Sequence, residues 1–581
     1  MELAMVQVVL FFVILVGTAV PLGWYCARVM NGEHTWLTPV VLPIERGFYR
    51  LMGIDGEKEM DWKTYGLSVL VLNGIGVVMV FLLCMLQGVL PLNPMHIEGM
   101  SWHLALNTAL SFVTNTDWQA YSGESQMSYL TQMLGPTVQN FASAATAIAV
   151  LFAVIRGFAR TSSREIGNFW VDFTRSFLYL LLPMSIVLAV LLASQGVPQN
   201  LSAYTEAEML QPASVEMKQD DGSMKEEILE KAVIPQGPAA SQIAIKQIGT
   251  NGGGFFGVNS AHPLENPNQV TNFFEMYVIL LIPMALCFTF GRNVHDRRQG
   301  WAVFSAMFLL LLAGLFVMYS AEIHGTPALS QGGLVDMADG NMEGKEVRAG
   351  LTSSVVWISS ISATSNGSVN AMIDSFTPLG VLVSMLNIML GEVIFGGVGC
   401  GLYGMFGFVL AAVFISGLMV GRTPEYLGKK LSIHDVRLAM AMCITVPFGI
   451  LLGSMTATLM PFISESLTNS GARGLSEILY AYSSASGNNG SALGGFNANT
   501  LFINVSLGLL IILGRYVPLL CALGLAGSFA AKKKVVETEG TLSTCNGMFV
   551  FFLIIVILII GALSFFPALS LGPIAEYFQM R

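Results

Sequence analysis

The 581-residue sequence contains little charge: Asp, Glu, Lys and Arg make up only 11% of it, against roughly 25% in soluble domains. Hydrophobic residues account for 54%. This balance excludes an ordinary soluble domain. Apolar runs of about 20 residues, the length that crosses a bilayer, recur from end to end. The sequence therefore predicts an all-α polytopic membrane protein.

Motifs for metal, nucleotide or covalent chemistry are also missing. The seven cysteines are scattered without a CxxC pair, and the seven histidines form no ligand-spaced cluster. Neither a Walker A motif nor the phosphorylatable Asp-Lys-Thr-Gly motif occurs. We therefore expect no cofactor, no disulfide framework and no His/Cys metal site, with membrane lipid but no nucleic acid as a partner. If the chain takes part in active transport, another subunit supplies the energy.

Ten apolar segments are long enough to span a bilayer. They lie at about 3–23, 66–90, 130–155, 175–195, 270–291, 301–320, 378–420, 436–460, 500–529 and 547–568. The first is not expected to be a signal peptide, because no Lys or Arg precedes it and Arg28 follows it. The seventh is long and interrupted by glycines.

The distribution of basic residues predicts the orientation of the chain. Nineteen of the 28 Lys and Arg residues fall in alternate loops if the ten spans are right. They are Arg28, Arg46, Arg50, Lys58, Lys63, Arg156, Arg160, Arg164, Arg175, Arg292, Arg297, Arg298, Arg422, Lys429, Lys430, Arg437, Lys532, Lys533 and Lys534. The positive-inside rule places these loops in the cytoplasm and both termini outside.

Four short segments look like copies of one element. They are loop 1 (113–117, VTNTD), loop 2 (249–253, GTNGG), loop 3 (364–368, TSNGS) and loop 4 (487–491, GNNGS). Each follows a moderately apolar stretch too short to cross a bilayer, at about 102–113, 238–249, 351–363 and 475–486, and each lies between two full spans. The alternative is an ordinary Gly/Asn turn, which is the common fate of one such loop. Recurrence of the whole unit four times favours a pore.

Such a pore would be lined by backbone. Four half-helices would point the partly negative ends of their dipoles at a shared cavity, and loop carbonyls would replace the hydration shell of an ion. A site without fixed negative charge favours potassium over sodium and divalent ions. Loop 1 has Thr116 where the others are expected to have Gly252, Gly367 and Gly490, which predicts an asymmetric filter because positive φ is costly for a β-branched residue.

Five motifs resemble one family. They are TNTDWQAYSGE at 114–124, GTNGGGFF at 249–256, GEVIFGGVGCGLYG at 391–404, GRTPEYLGKK at 421–430 and GPIAEY at 572–577. The sequence is similar, over essentially its whole length, to the A subunit of the bacterial Kdp potassium-transporting P-type ATPase. The resemblance implies a fold of the potassium transporter superfamily, with four repeats of membrane helix, pore half-helix, filter loop and membrane helix, plus one extra helix at each end.

The resemblance also implies a function. The chain would bind extracellular potassium and pass it to an ATP-hydrolysing B subunit, with small C and F subunits alongside, in the bacterial inner membrane. This chain itself would be non-catalytic, with K⁺ as its only metal and its substrate. The segments would be 1–60 (first helix and loop), 61–165, 166–293, 294–425 and 426–532 (the four repeats), and 533–581 (last helix).

The implied site residues form three groups. The filter would comprise Thr114, Asn115, Thr116, Thr250, Asn251, Gly252, Ser365, Asn366, Gly367, Asn488, Asn489 and Gly490, and the outer mouth Asp117 and Gln119. The gate and coupling group would comprise Glu392, Gly396, Gly397, Gly399, Arg515 and Arg422. The neighbours of Gly367 fit the family pattern less well than those of the other loops.

Two of these features have alternatives. Six glycines between Gly391 and Gly404 weaken the seventh span by about 1 kcal/mol each relative to alanine. This predicts a break; in related potassium transporters the equivalent segment is a gating loop, and the alternative is close helix packing. Arg515 is an intramembrane charge that would repel ions beneath the filter and could meet Glu392. The alternative is an arginine that snorkels to an interface.

Two other functions compete with this interpretation. A stand-alone potassium channel or symporter of the Trk/Ktr/HKT kind would share the pore, but the extra terminal spans and the 421–430 segment disfavour it. A polytopic membrane enzyme would need a polar catalytic cluster, and neither a His/Cys ligand set nor a nucleophile motif is found.

Overall fold

The computed structural model describes residues 2–218, 224–326, 339–535 and 542–580. Across these ranges ten helices are long and apolar enough to cross a membrane, which confirms the predicted polytopic fold. They are Ala4–Met30, Trp62–Val89, Tyr129–Ala159, Phe169–Ser194, Gln269–Asn293, Arg297–His324, Cys400–Met419, Ile433–Thr458, Leu501–Ala531 and Gly547–Leu571. The seventh predicted span is two helices, since Pro378–Met389 precedes Cys400–Met419 and the residues between them are not helical.

Polar residues begin several of these helices. Asn268 and Thr271 form a reciprocal capping box before Gln269–Asn293, and Ser432 and Asp435 do the same before Ile433–Thr458. These caps satisfy N–H groups that the first turn of a helix leaves without partners. The helix starts are therefore encoded locally, next to the apolar runs.

Four shorter helices match the predicted half-helices. They are pore helix 1 (Trp102–Val113), pore helix 2 (Ala239–Ile248), pore helix 3 (Gly350–Thr364) and pore helix 4 (Gly471–Ser486). Each packs against spanning helices on both sides. The N-terminal helix packs mainly on Gln269–Asn293, and the last spanning helix, Gly547–Leu571, packs on Arg297–His324 and Cys400–Met419. The division of the chain into segments stays a prediction.

The described residues also include elements outside the spans and pore helices. Strands Thr205–Lys218 and Met224–Ile234 pair antiparallel, which the hydropathy pattern did not predict. Two small antiparallel pairs join Met60–Asp61 to Glu165–Gly167, and Glu425–Tyr426 to Lys429–Lys430. Helices Thr38–Met52, Gly123–Gln126 and Pro573–Gln579 lie outside the spans.

Candidate functional site

The four loops meet in a closed ring. Each loop contacts the next in chain order, and loop 4 returns to loop 1. The hydrogen bonds are Asn115 Nδ2 to Thr250 O (3.2 Å), Gly367 N to Asn251 O (3.1 Å), Asn489 Nδ2 to Asn366 O (3.3 Å) and Asn488 Nδ2 to Thr116 Oγ1 (2.8 Å). Because every pore helix ends at this ring, the negative ends of four helix dipoles converge on it.

A common hydrogen bond establishes which residues of the four loops correspond. In each loop one backbone N–H donates to the carbonyl five residues earlier, in the last turn of the pore helix. The donors are Thr116 (to Ser111, 3.0 Å), Asn251 (to Lys246, 2.9 Å), Asn366 (to Ile361, 3.0 Å) and Asn489 (to Ser484, 2.8 Å). Thr116 therefore corresponds to the asparagines of the other loops.

The expectation that Thr116 replaces a glycine is accordingly wrong by one residue. Asp117 occupies the glycine position and has φ 53°, in the left-handed region that Asp tolerates better than Thr does. The equivalent Gly252 and Gly490 have φ 107° and 89°. The ring of loops is asymmetric at loop 1, through a carboxyl side chain rather than a β-branched one.

The glycines are also required by the neighbouring loops. A Cβ on Gly252 would lie 2.1 Å from the nitrogen of Gly367, and one on Gly490 would lie 1.9 Å from the carbonyl oxygen of Thr116. Gly367 lacks a positive φ, but its Cβ would lie 2.9 Å from Asn489 O. Glycine at these positions lets four backbones approach one another.

The predicted outer-mouth residues lie where the loops leave the ring. Asp117 and Gln119 line a cavity of about 680 Å³ together with Gly367 and Gly490. The side chain of Gln119 accepts from Gly254 N at 2.7 Å and donates to Gly254 O at 3.1 Å. Gln119 thereby ties loop 1 to the chain that follows loop 2.

On the opposite side of the ring, Arg515 and Glu392 form a buried ion pair. Arg515 Nη2 lies 3.0 Å from Glu392 Oε1, and Nη1 also contacts the Sγ of Cys400. Small cavities beside Arg515 are lined by Asn488 of loop 4 and by Thr114 of loop 1. The contact with Glu392 that the sequence suggested is therefore present. Because Arg515 is only 6% exposed, it does not snorkel to an interface.

Residues 390–399 form a non-helical segment against the base of the ring. Gly397 N donates to Thr364 O at 2.8 Å, and Val398 N donates to Thr250 Oγ1 at 2.9 Å. Gly399 has φ 113°, and a Cβ there would lie 2.5 Å from Ala147 O. The predicted break is present, and at Gly399 it is combined with the close helix packing that was the alternative.

Arg422 lies apart from this group. It is exposed in the turn after Cys400–Met419, whose 20 residues place it about 30 Å from Gly399 at 1.5 Å per residue. The structure therefore does not bring Arg422 to the break, and its assignment to coupling stays a prediction. Sequence reasoning also missed Lys246 and Glu265, which lie behind loop 2 and are both fully buried. A lysine inside a half-helix at membrane depth was the available signal.

Comparison with known proteins shows the family. Residues 9–578 match the model of the potassium-transporting ATPase A subunit, KdpA. The potassium-transporting ATPase potassium-binding subunits of Clostridium perfringens and Desulfovibrio desulfuricans are 57% and 53% identical to the chain, and each alignment covers 100% of both proteins. The potassium transporter TrkH from Vibrio parahaemolyticus has a similar fold, with TM-score 0.50, 12% identity and coverage of 86% of this chain and 96% of TrkH. The chain thus belongs to the potassium-transporting ATPase A subunit family.

Proposed function

We propose that the chain is the potassium-selective, channel-like subunit of an ATP-driven potassium uptake pump in a bacterial inner membrane. The ring of four loops would be its selectivity filter. The observation that carries this proposal is the closure of the ring by contacts between consecutive loops. The names of the full-length relatives, potassium-binding subunits of a potassium-transporting ATPase, support potassium as the ion.

The ring is suited to a monovalent cation in three ways. It combines backbone carbonyls with the C-termini of four pore helices, and it carries one carboxyl group, Asp117, near its outer rim. Partial charges of this kind can replace the hydration shell of a weakly hydrated ion, as the carbonyl oxygens of potassium-channel filters do. A full ring of carboxylates, which suits divalent ions, is not what these loops present.

The Arg515–Glu392 pair and the 390–399 segment would stop an ion from passing straight through. A guanidinium in a low-dielectric site opposes a cation strongly, so the ion would leave towards a partner subunit. We assign ATP hydrolysis to a P-type B subunit, with C and F subunits alongside, and no cofactor to this chain. Both termini would face outward, and Asp117 and Gln119 would face the extracytoplasmic space.

Partner dependence tests the assignment. In a bacterial strain that lacks its own potassium uptake systems, this chain should restore growth at micromolar-scale potassium only when it is expressed with its ATPase partner. Expression of the partner with a Gly252→Asp variant is the matched control, because it keeps the ATPase and perturbs only the ring. Equal growth with this chain alone would favour a stand-alone channel or symporter instead.

A further inference from the structure

Lys246 is buried in pore helix 2 directly behind loop 2. Its side chain is 0% exposed, and its Nζ donates to Gly253 O at 2.9 Å. Its backbone carbonyl accepts from Asn251 N at 2.9 Å. One residue thus contacts loop 2 at two backbone positions, through its main chain and through its ammonium group.

Glu265 completes the arrangement. One carboxylate oxygen pairs with the Lys246 ammonium, and the other accepts from Phe256 N at 2.9 Å. The ion pair therefore holds loop 2 at Gly253 and also holds the backbone at Phe256, just after loop 2 leaves the ring. Hydrogen bonds to charged groups are stronger than neutral ones, and a low-dielectric surrounding strengthens them further.

Loops 3 and 4 are fixed differently. In loop 3, Ser368 N donates to Asn366 Oδ1 at 2.8 Å, and in loop 4, Ser491 N donates to Asn489 Oδ1 at 3.0 Å. At the corresponding position loop 2 has Gly253, with φ 66°, and the side chain of Asn251 turns instead towards Ser143, at 3.0 Å. Loop 2 therefore lacks the local turn that holds loops 3 and 4.

The lysine is specific to this repeat. The residues of pore helices 1, 3 and 4 that correspond to Lys246 are Ser111, Ile361 and Ser484. Loop 2 is also the loop with three successive glycines, 252 to 254, which are the most flexible backbone available to a chain. The ammonium group therefore lies behind a loop whose own side chains do not form the turn that holds loops 3 and 4.

We propose that Lys246, supported by Glu265, is a positioning residue that holds the Gly253 carbonyl towards pore helix 2 and so sets the ion affinity and preference of the filter. The inference rests on the proposed function of the ring. Without the ammonium group, the Gly253 carbonyl is free to reorient, and the glycine-rich loop no longer presents one geometry to the ion. A ring that adapts its shape discriminates poorly between ions of different size.

The test uses the assembled pump complex with Lys246→Met/Glu265→Gln. Methionine keeps the unbranched stem, and glutamine keeps an oxygen that accepts from Phe256, so the pair is neutralised without a lone buried charge. We expect the KM for potassium in ATPase assays to rise at least about tenfold while kcat changes less than about twofold. Stimulation by rubidium or ammonium relative to potassium should increase. Glu265→Gln alone leaves the Lys246 ammonium without its partner, so it should shift the KM in the same direction and lower the stability of the complex more than the double variant does.

The matched control is a second buried lysine–glutamate pair. Lys345 Nζ lies 2.8 Å from Glu322 Oε2, and both side chains are 0% exposed. Within the described residues, Glu322 also bonds Asn341 and Thr377 rather than a loop of the ring. Lys345 lines the cavity of about 680 Å³, but its side chain is fully buried and paired, so the double substitution removes no net charge there. Lys345→Met/Glu322→Gln should therefore reduce stability or yield but leave the KM and the ion preference unchanged.

The outcomes separate the inference from the function it rests on. Wild-type KM and ion preference in assembled Lys246→Met/Glu265→Gln or Glu265→Gln, alongside altered preference in Gly252→Ser, would overturn the role of Lys246 alone. An equal KM shift in the Lys345 control would reduce the effect to general loss of a buried pair and would also overturn it. If Gly252→Ser also kept the wild-type KM and ion preference, the proposed filter function of the ring would itself be contradicted. For variants with low turnover, potassium-dependent thermal stabilisation of the complex measures affinity directly, and an unchanged midpoint concentration counts against the inference.

Discussion

The hydroxyl oxygen of Thr250 accepts a hydrogen bond from the backbone N–H of Val398 at 2.9 Å. Thr250 belongs to loop 2, and Val398 belongs to the non-helical segment between Pro378–Met389 and Cys400–Met419. One side chain therefore joins the ring that we propose to be the filter to the segment that we propose to be the gate. A second bond, from Gly397 N to Thr364 O, joins the same segment to loop 3.

Loss of the Thr250 hydroxyl should loosen this connection. Thr250→Val keeps the shape of the side chain but leaves the Val398 N–H without its acceptor, a cost of about 1–3 kcal/mol for a buried group. We expect increased ATP-independent rubidium flux through the complex in liposomes. Thr250→Ser keeps the hydroxyl and serves as the control. Equal ATP-independent rubidium flux in Thr250→Val and Thr250→Ser would contradict a role for this bond.

The Arg515 guanidinium should limit passive leak. Arg515→Ala removes the positive charge beneath the ring, and we expect uncoupled potassium flux to rise about tenfold, equivalent to about 1.4 kcal/mol of barrier. Arg515→Ala alone also leaves the Glu392 carboxylate unpaired. The double variant Arg515→Ala/Glu392→Gln has no such carboxylate and therefore shows the effect of losing the guanidinium charge. Arg437→Ala, at an exposed arginine on Ile433–Thr458, is the control. Unchanged ATP coupling in assembled Arg515→Ala would leave the pair with a structural role only.

Gly252 tests the filter directly. A side chain there would lie 2.1 Å from the nitrogen of Gly367, so Gly252→Ser must displace loop 3. We expect apparent potassium affinity to fall at least about tenfold, or about 1.4 kcal/mol, with relaxed discrimination against rubidium, ammonium or sodium. Gly74→Ser is the control, because no atom lies within 4 Å of the position its Cβ would take. Wild-type affinity and ion preference in Gly252→Ser would mean that the loops are ordinary turns.

The corrected register of loop 1 predicts a contrast at Asp117. Asp117 has φ 53° at the glycine position of its loop. Glycine adopts this φ without strain, so Asp117→Gly suits the backbone, whereas Asp117→Val places a β-branched residue in the left-handed region. Both variants lose the carboxyl group, so we expect the potassium KM to rise in both, and to rise at least about threefold more in Asp117→Val than in Asp117→Gly. Equal KM values for the two variants, each confirmed to assemble, would argue against the register.

Lys429 should be important for stability rather than for ion preference. Its ammonium group donates to the carbonyls of Gly157, Phe158 and Phe529 at 3.1, 2.8 and 2.9 Å, at the ends of Tyr129–Ala159 and Leu501–Ala531. Lys429→Met leaves these carbonyls without the donor, and we expect a loss of about 1–3 kcal/mol. The thermal midpoint of the complex measures it. Lys430→Met is the neighbouring exposed control, and an equal midpoint for both variants would refute the role.

Much of this architecture could be predicted from the sequence. Nine of the ten predicted spans and the four half-helices agree with the helices of the structure to within about seven residues at each end, and the seventh predicted span is broken after Met389 into two helices. The register of loop 1 could not be predicted in the same way. A shift by one residue changes no hydropathy, and it is the bond from Thr116 N to Ser111 O, together with the positive φ of Asp117, that shows how loop 1 aligns with the others.

The spans and half-helices were determined by the sequence alone, because a membrane segment must satisfy its backbone hydrogen bonds within itself, which makes its existence a local property of length and apolarity. Only the tertiary structure decided which residues meet. Thr116 and Asn488 are 372 positions apart, Glu392 and Arg515 are 123 apart, and Lys246 finds Glu265 across the whole of loop 2. Such contacts depend on how the spanning helices and the pore helices pack against one another, and no window of the sequence contains that packing.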